Sequence, residues 1–353
     1  MDVELGIIEG FYGRPWSWDE RAATVAYLEP HGYRFFLYAP KADAYLRRRW
    51  HEDHPRETAD GLARLAARCA DQGVRFGVGV SPFEVQTFGA AEKDALGRKL
   101  AYFDSLGARD LAILFDDMRG DVPGLAGTQL EIVDWAAGRT KADRIIVCPS
   151  YYSDDPVLPR VFGRPPEGYL EALGAGLDPR IEIFWTGEEV CSFEISPGHL
   201  RRVTDQIRRK PFLWDNYPVN DGQRMSQYLH VRGFTGRPAE MAGLIAAHGI
   251  NPALQPTLTC IPALTLVESY RRGDEYAYGA AMRRAAVQVL GQELGTRLYE
   301  DTLILQDLGL DRLDGREAEL RERYGGFDHP GAREIIAWLN GHYRITDEVV
   351  QTQ

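Results

Sequence analysis

The stretch "LAILFDDMRG" runs from Leu111 to Gly120. Its unbroken apolar run reads as a β-strand covered on both faces, as in parallel sheets flanked by helices. It ends abruptly in two adjacent carboxylates, Asp116 and Asp117. Charged groups are seldom buried without a partner, and like charges this close oppose each other's ionisation. A strand that stops on such a pair is either a plain exit into solvent or a place where two acids are held for chemistry. The pair alone leaves both readings open.

Runs of the same kind recur on either side. They are "LGIIEGFY" (5–12), "YRFFLYAP" (33–40), "VRFGVGVSP" (74–82), "RIIVCPSYY" (144–152), "RIEIFWTG" (180–187), "KPFLWDNY" (210–217) and a weaker "NPALQP" (251–256). Helix-like stretches lie between them, such as "WDERAATVAYLEPHG" (18–32), "TADGLARLAARCADQG" (58–73) and "AEKDALGRKLAYFDSLG" (91–107). Each closes near a glycine, a common helix stop. Eight β-then-α units predict an α/β fold, a (β/α)8 TIM barrel, in preference to an open doubly wound sheet. From about residue 275 the strand signal stops. "EYAYGAAMRRAAVQVLGQELGTRLYEDTLILQDLG" (275–309) and "GAREIIAWLNGHYRITDEVV" (331–350) have helical periodicity only. The expected division is a catalytic barrel over 1–274 and a small helical C-terminal region over 275–353.

The bulk properties suit this reading. A barrel of about 250 residues plus a smaller unit accounts for 353 residues. With 44% hydrophobic and 26% charged residues, the chain has material for a substantial core. Its formal charge of −11 argues against nucleic-acid binding, which rests on phosphate neutralisation. The four cysteines, Cys69, Cys148, Cys191 and Cys260, are widely spaced and form no Cys/His cluster, so neither a disulfide scaffold nor a zinc site is expected. The start "MDVELGIIEGFYG" lacks a basic segment and a long apolar core, and no apolar run approaches the ~20 residues of a membrane span. A soluble, cytoplasmic protein with no membrane association is expected, its oligomeric state left open.

In a barrel of this type the site is built at the C-terminal ends of the strands. Those ends carry Glu9, Gly10, Tyr12 and Arg14, then Lys41, then Asp116 and Asp117. Further along come Cys148 and Tyr152, Trp185 and Thr186, the group Trp214, Asp215, Asn216 and Asp221, and finally Asn251. Each has an ordinary structural explanation. Asp and Asn favour caps and turns, a lone cysteine is usually a small buried hydrophobe, and a tryptophan closes a barrel core. Together they mix carboxylates, amides, a lysine and aromatics, with no histidine. That is the chemistry of a sugar site, where aromatic faces pack on C–H surfaces and polar groups bind hydroxyls.

The blocks "GIIEGFYGRPWSWDER" (6–21), "YAPKAD" (38–43), "LFDDM" (114–118), "CPSYY" (148–152), "FWTG" (184–187), "WDNYPVND" (214–221) and "NP" (251–252) follow an order and spacing that resembles glycoside hydrolase family 84, the O-GlcNAcase or β-N-acetylglucosaminidase family. The resemblance covers roughly 5–270. It implies a (β/α)8 barrel that removes terminal β-linked N-acetylglucosamine from glycoproteins or glycans, with retention and without metal or cofactor. By this resemblance Asp116 polarises the substrate's acetamido N–H and Asp117 is the general acid and base. It also assigns Gly10 and Lys41 to the 3-hydroxyl region, and Tyr152, in preference to Tyr151, to the acetamido oxygen. Cys148 and Trp214 would line the acetyl pocket, Asn216 would support the acetamido contact, and Asp221 and Asn251 would bind the 4- and 6-hydroxyls. An ionised Asp116 is expected to raise the pKa of Asp117 and keep it protonated. The alternatives are a β-N-acetylhexosaminidase or hyaluronidase-like enzyme acting on glycan fragments, and a catalytically silent sugar-binding barrel. A metal-dependent hydrolase using Glu9, Asp116 and Asp117 is the least favoured.

Overall fold

The computed structural model describes residues 3–346 except residue 86. Eight parallel strands close into a barrel in sequential order. They are β1 (Leu5–Glu9), β2 (Tyr33–Tyr38), β3 (Arg75–Val80), β4 (Asp110–Leu114), β5 (Arg144–Cys148), β6 (Glu182–Trp185), β7 (Phe212–Asp215) and β8 (His248–Ile250). Closure rests on the short β8, whose His248, Gly249 and Ile250 pair with Leu5, Gly6 and Ile7 on one side and with Leu213, Trp214 and Asp215 on the other. The eighth strand thus precedes the expected "NPALQP", which forms the loop that leads into a helix starting at Pro256. Proline lacks the N–H that a ladder needs, so this stretch makes a poor strand.

The helices that cover the barrel are α1 (Trp18–Leu28), α2 (Arg56–Asp71), α3 (Ala90–Ser105), α4 (Leu125–Ala137), α5 (Val157–Phe162), α6 (Tyr169–Gly176), α7 (Pro197–Ile207), the single turn α8 (Gly222–Met225) and α9 (Pro256–Arg272). Local sequence explains their limits. α1 opens with a capping box in which the Ser17 hydroxyl accepts from the Glu20 amide and the Glu20 carboxylate accepts from the Ser17 amide. α2 buries Leu62, Leu65, Ala66 and Cys69, a helical spacing that lays one face on the sheet.

Four further helices follow, α10 (Tyr278–Leu290), α11 (Gln292–Glu300), α12 (Glu317–Gly325) and α13 (Pro330–Leu339). α10 packs along α9. Glu334 of α13 accepts hydrogen bonds from the amides of Thr257 (2.8 Å) and Leu258 (3.0 Å), which occupies free donors of the first turn of α9. Burial pushes its carboxyl up to about 7 despite those bonds. The chain then runs back to the end of the barrel where the strands have their C-termini, and there Ile345 donates its amide to Ser226 (3.2 Å) and Gln223 donates to the Thr346 carbonyl (2.7 Å).

The opposite end of the barrel is closed by charge. The Arg144 guanidinium lies 5.0 Å from the ring centres of both Phe35 and Phe212 and contacts Glu4 and Asp110. Nearer the site, Glu9 at the end of β1 is fully buried and receives two 2.7 Å hydrogen bonds from Arg21 of α1. Burial raises the pKa of Glu9 against the pull of Arg21. Removing one partner of a buried pair strands the other, typically at a cost of about 3–5 kcal/mol. Arg21→Met should therefore lower unfolding stability by roughly that amount in urea melts, and adding Glu9→Gln should restore much of it. A loss under about 1 kcal/mol in the single variant contradicts the assignment.

Candidate active site

Gly10, Lys41, Asp116, Asp117, Cys148, Tyr152, Trp214, Asn216, Asp221 and Asn251 all line one small cavity at the C-terminal ends of the strands. Tyr12, Thr186, Val190, Cys191 and Val219 complete its wall. Of the other strand-end residues, Glu9 is held by Arg21, and Asp215 is buried against Arg237 (2.7 Å) and His248 (2.9 Å). Trp185 donates to His199 (2.8 Å), outside this cavity. Arg14 lines an adjoining cleft. Of the two tyrosines in "CPSYY", Tyr152 faces the cavity, whereas Tyr151 turns away and donates to the Gly163 carbonyl.

The adjacent aspartates need a backbone irregularity. In an extended strand consecutive side chains point to opposite faces. Asp117 has φ +55°, in the left-handed region, which breaks that alternation and lets both carboxylates face one cavity. Aspartate tolerates this conformation better than most residues, and such outliers concentrate at functional sites.

Lys41 joins the pair. Its side chain is 4% exposed, its ammonium contacts Asp116 Oδ2, and it lies 3.7 Å from Asp117 Oδ2. Asp117 is further capped on both oxygens. Tyr12 donates to Oδ2 (2.8 Å) and Tyr152 to Oδ1 (3.1 Å). Arg47 extends this chain by donating to the Tyr12 hydroxyl (2.8 Å) and to the Asp117 carbonyl (3.2 Å). Asp116 Oδ1, in contrast, is buried with no hydrogen-bond donor from the described residues.

This arrangement overturns the expected protonation of Asp117. Burial pulls its pKa upward, but the charges of Lys41 and Arg47 and the two phenolic hydrogen bonds more than offset it, leaving the pKa below the ordinary value. The expectation weighed only the neighbouring Asp116 and left out the cations. Arg47 was not among the candidates because it lies in an irregular segment after β2, with no motif to single it out. The Cys148 thiol is pushed well up by burial and stays protonated, an apolar wall rather than a nucleophile.

The opposite wall is an amide chain. Trp214 donates its indole N–H to Asn216 Oδ1 (3.1 Å), which also accepts from Asn251 Nδ2 (2.9 Å). Asn251 Oδ1 accepts from the Gly10 amide (3.2 Å), and Asn216 Nδ2 donates to the Val190 carbonyl (2.8 Å). Asp221 accepts from the Tyr12 amide (2.7 Å). Gly10 is required here, since a Cβ at that position would lie 2.1 Å from the Trp214 ring. Among the described residues no group of three or more His, Cys, Asp or Glu side chains is spaced to hold a metal ion, and Glu9 is already committed to Arg21.

A (β/α)8 barrel whose strand ends gather carboxylates, amides and aromatics around one small cavity has the architecture of a carbohydrate-active protein. The comparisons are specific. The profile of the family described as beta-N-acetylglucosaminidase matches residues 5–302, and the chain belongs to that family. It is similar to the Protein O-GlcNAcase of Mus musculus and that of Rattus norvegicus, each 29% identical over 276 residues. Those alignments take in 75% of this chain and 30% of each relative, so the match spans under a third of either relative's length. A mutant of the Thermobaculum terrenum O-GlcNAc hydrolase superposes with a TM-score of 0.78 at 26% identity, over 96% of this chain and 80% of that one. Among the described residues no helix is long and apolar enough to cross a membrane.

Lys41 is the largest influence lowering the Asp117 pKa. Lys41→Met should therefore raise the pH at which the Asp117 carboxyl titrates, read by carbon NMR of labelled aspartate. An unmoved titration contradicts the electrostatic account.

Proposed function

We propose that this chain is a retaining exo-β-N-acetylglucosaminidase of the O-GlcNAcase type, which removes terminal β-linked N-acetylglucosamine, including that on serine or threonine of glycoproteins. The observation that carries the reading is the division between the two aspartates. Asp116 offers a buried oxygen with no donor among the described residues, whereas Asp117 has both oxygens capped by hydroxyls and is linked to two cations. Ordinary retaining glycosidases need two carboxyl groups on opposite sides of the anomeric carbon. Neighbouring residues from the end of one strand suit a different scheme, in which the substrate's own acetamido oxygen attacks.

In that scheme the 2-acetamido oxygen forms a bond to C1 as the bond from C1 to the departing oxygen breaks. The acetamido N–H donates to Asp116 Oδ1, and the carboxylate stabilises the positive charge that builds on the oxazoline. Asp117 gives its proton to the departing oxygen, then takes one from the water that opens the oxazoline at C1. Two inversions give overall retention.

The low pKa of Asp117 belongs to the unliganded site, and the same contacts supply the means to raise it. When the sugar takes the Tyr152 hydroxyl and engages Lys41 through its 3-hydroxyl, two influences holding Asp117 ionised are weakened. Exclusion of water strengthens the upward pull of burial. Substrate binding thus converts Asp117 from a capped carboxylate to an acid. Gly10 shares the 3-hydroxyl region with Lys41, Cys148 and Trp214 bound the acetyl methyl, Asn216 supports the acetamido contact, and Asp221 and Asn251 take the 4- and 6-hydroxyls. The four cysteines are free thiols, three of them buried, which suits a reducing compartment such as the cytoplasm.

The test is the dependence on the acetamido group. Aryl β-N-acetylglucosaminides with mono-, di- and trifluorinated acetyl groups should react progressively more slowly as the carbonyl oxygen loses nucleophilicity. The matching plain β-glucoside should be slower by at least ~10³-fold, since a positioned intramolecular nucleophile is worth effective molarities of about 10⁵–10⁸ M. A flat response across the series, or good turnover of the glucoside, overturns the proposal.

A further inference from the structure

Beside the sugar cavity lies a larger cleft that shares Tyr12, Lys41 and Asp117 with it. If Asp117 protonates the departing oxygen, whatever that oxygen belongs to must leave through this cleft. The inference therefore rests on the function proposed above. The lining of the cleft is strongly cationic. Four arginines, Arg14, Arg47, Arg48 and Arg344, line it together with Lys41, and Asp117 is its one acidic residue among those described. The chain as a whole carries −11, so this cation density opposes the average field.

The arginines divide by what they hold. Arg47 is committed to Tyr12 and the Asp117 carbonyl, and Arg344 pairs with Asp311. Arg14 is exposed and rests on the Tyr343 ring, 5.7 Å from its centre, with no carboxylate partner among the described residues. Arg48 is exposed and also has none there. The wall is fixed in part by the returning C-terminal segment, tied down through Ile345 and Thr346 to Ser226 and Gln223. Phe83 and Phe162 add apolar surface. Two guanidinium groups without a carboxylate partner among the described residues, in a cleft that shares Asp117 with the sugar cavity, are suited to carboxylates on a chain that continues from the departing oxygen.

We infer that this cleft is the aglycone subsite and that it selects peptides with acidic residues flanking the glycosylated serine or threonine. Arg14 and Arg48 supply the recognition, and the long-range field of the protein works against it.

The test compares kcat/KM for three N-acetylglucosaminyl-serine peptides that differ only in having Glu, Gln or Lys at the flanking positions. The expected order is Glu, Gln, Lys, with roughly tenfold between the extremes at low salt, a few-fold per exposed charge pair. The spread should shrink in 0.5 M NaCl, where screening is effective within a few ångströms. In the Arg14→Gln/Arg48→Gln variant, which alters exposed side chains only, the spread should fall to within about twofold. Equal rates for the three peptides, from enzyme that hydrolyses an aryl β-N-acetylglucosaminide, overturn this inference and leave the proposed activity standing. The same holds if the spread persists in the double variant, or if a disaccharide of N-acetylglucosamine on a uronic acid outpaces the acidic peptide. Failure to hydrolyse the aryl substrate itself removes the underlying reading instead.

Discussion

One buried ammonium organises the catalytic end of this barrel. Lys41, at the exit of β2, reaches across to both carboxylates at the exit of β4. Two neighbouring aspartates whose side chains are 7% and 14% exposed repel each other strongly unless a cation sits beside them. With Lys41 between them, both are held on one side of the cavity. The remaining contacts then distinguish them. Asp117 receives Tyr12, Tyr152 and, through Tyr12, Arg47, while Asp116 keeps one oxygen without a donor among the described residues. The asymmetry arises from the backbone, because the left-handed φ of Asp117 turns its side chain onto the face that Asp116 already occupies.

Much of this was legible in the residues themselves. Strands sheathed by helices on both faces need continuous apolar runs, and seven of the eight could be read that way. The eighth could not. "HGI" is three residues long, and its strand character comes from being clamped between β1 and β7. The strand ends carried the right residue types, but not which of them look inward. Glu9 and Asp215 stand in the same kind of position as Asp116, yet each is consumed by an arginine that the fold brings from elsewhere. Such partners are set by tertiary packing and leave no local pattern. Arg47 escaped notice for the same reason. Adjacency in sequence displays the Asp116 carboxylate but not the Lys41 and Arg47 cations, brought from other segments, that lower the Asp117 pKa.

The two walls of the cavity are built differently, and the difference suits their tasks. The aspartate side is ionic and responsive, since its hydrogen bonds end on groups that a ligand can exchange. The amide side, from Trp214 through Asn216 and Asn251 to the Gly10 amide, is a closed chain of neutral donors and acceptors. Its geometry depends on the tryptophan ring lying directly over a glycine. In the function proposed, the amide wall would orient the sugar and the aspartate wall would supply proton transfer without a further protein nucleophile.

A leaving-group series tests most directly the proposed division of work between the two aspartates. Rates of Asp116→Asn and Asp117→Asn would be measured against aryl and alkyl β-N-acetylglucosaminides spanning a wide range of leaving-group pKa. Asp117→Asn should cost little with a nitrophenyl glycoside and up to ~10²–10⁴-fold with an alkyl one, because only the poor leaving group needs the proton. Asp116→Asn should cost a similar factor throughout, since every substrate builds charge on its acetamido group. Parallel dependence on leaving-group pKa in the two variants, or the reverse pattern, contradicts the account.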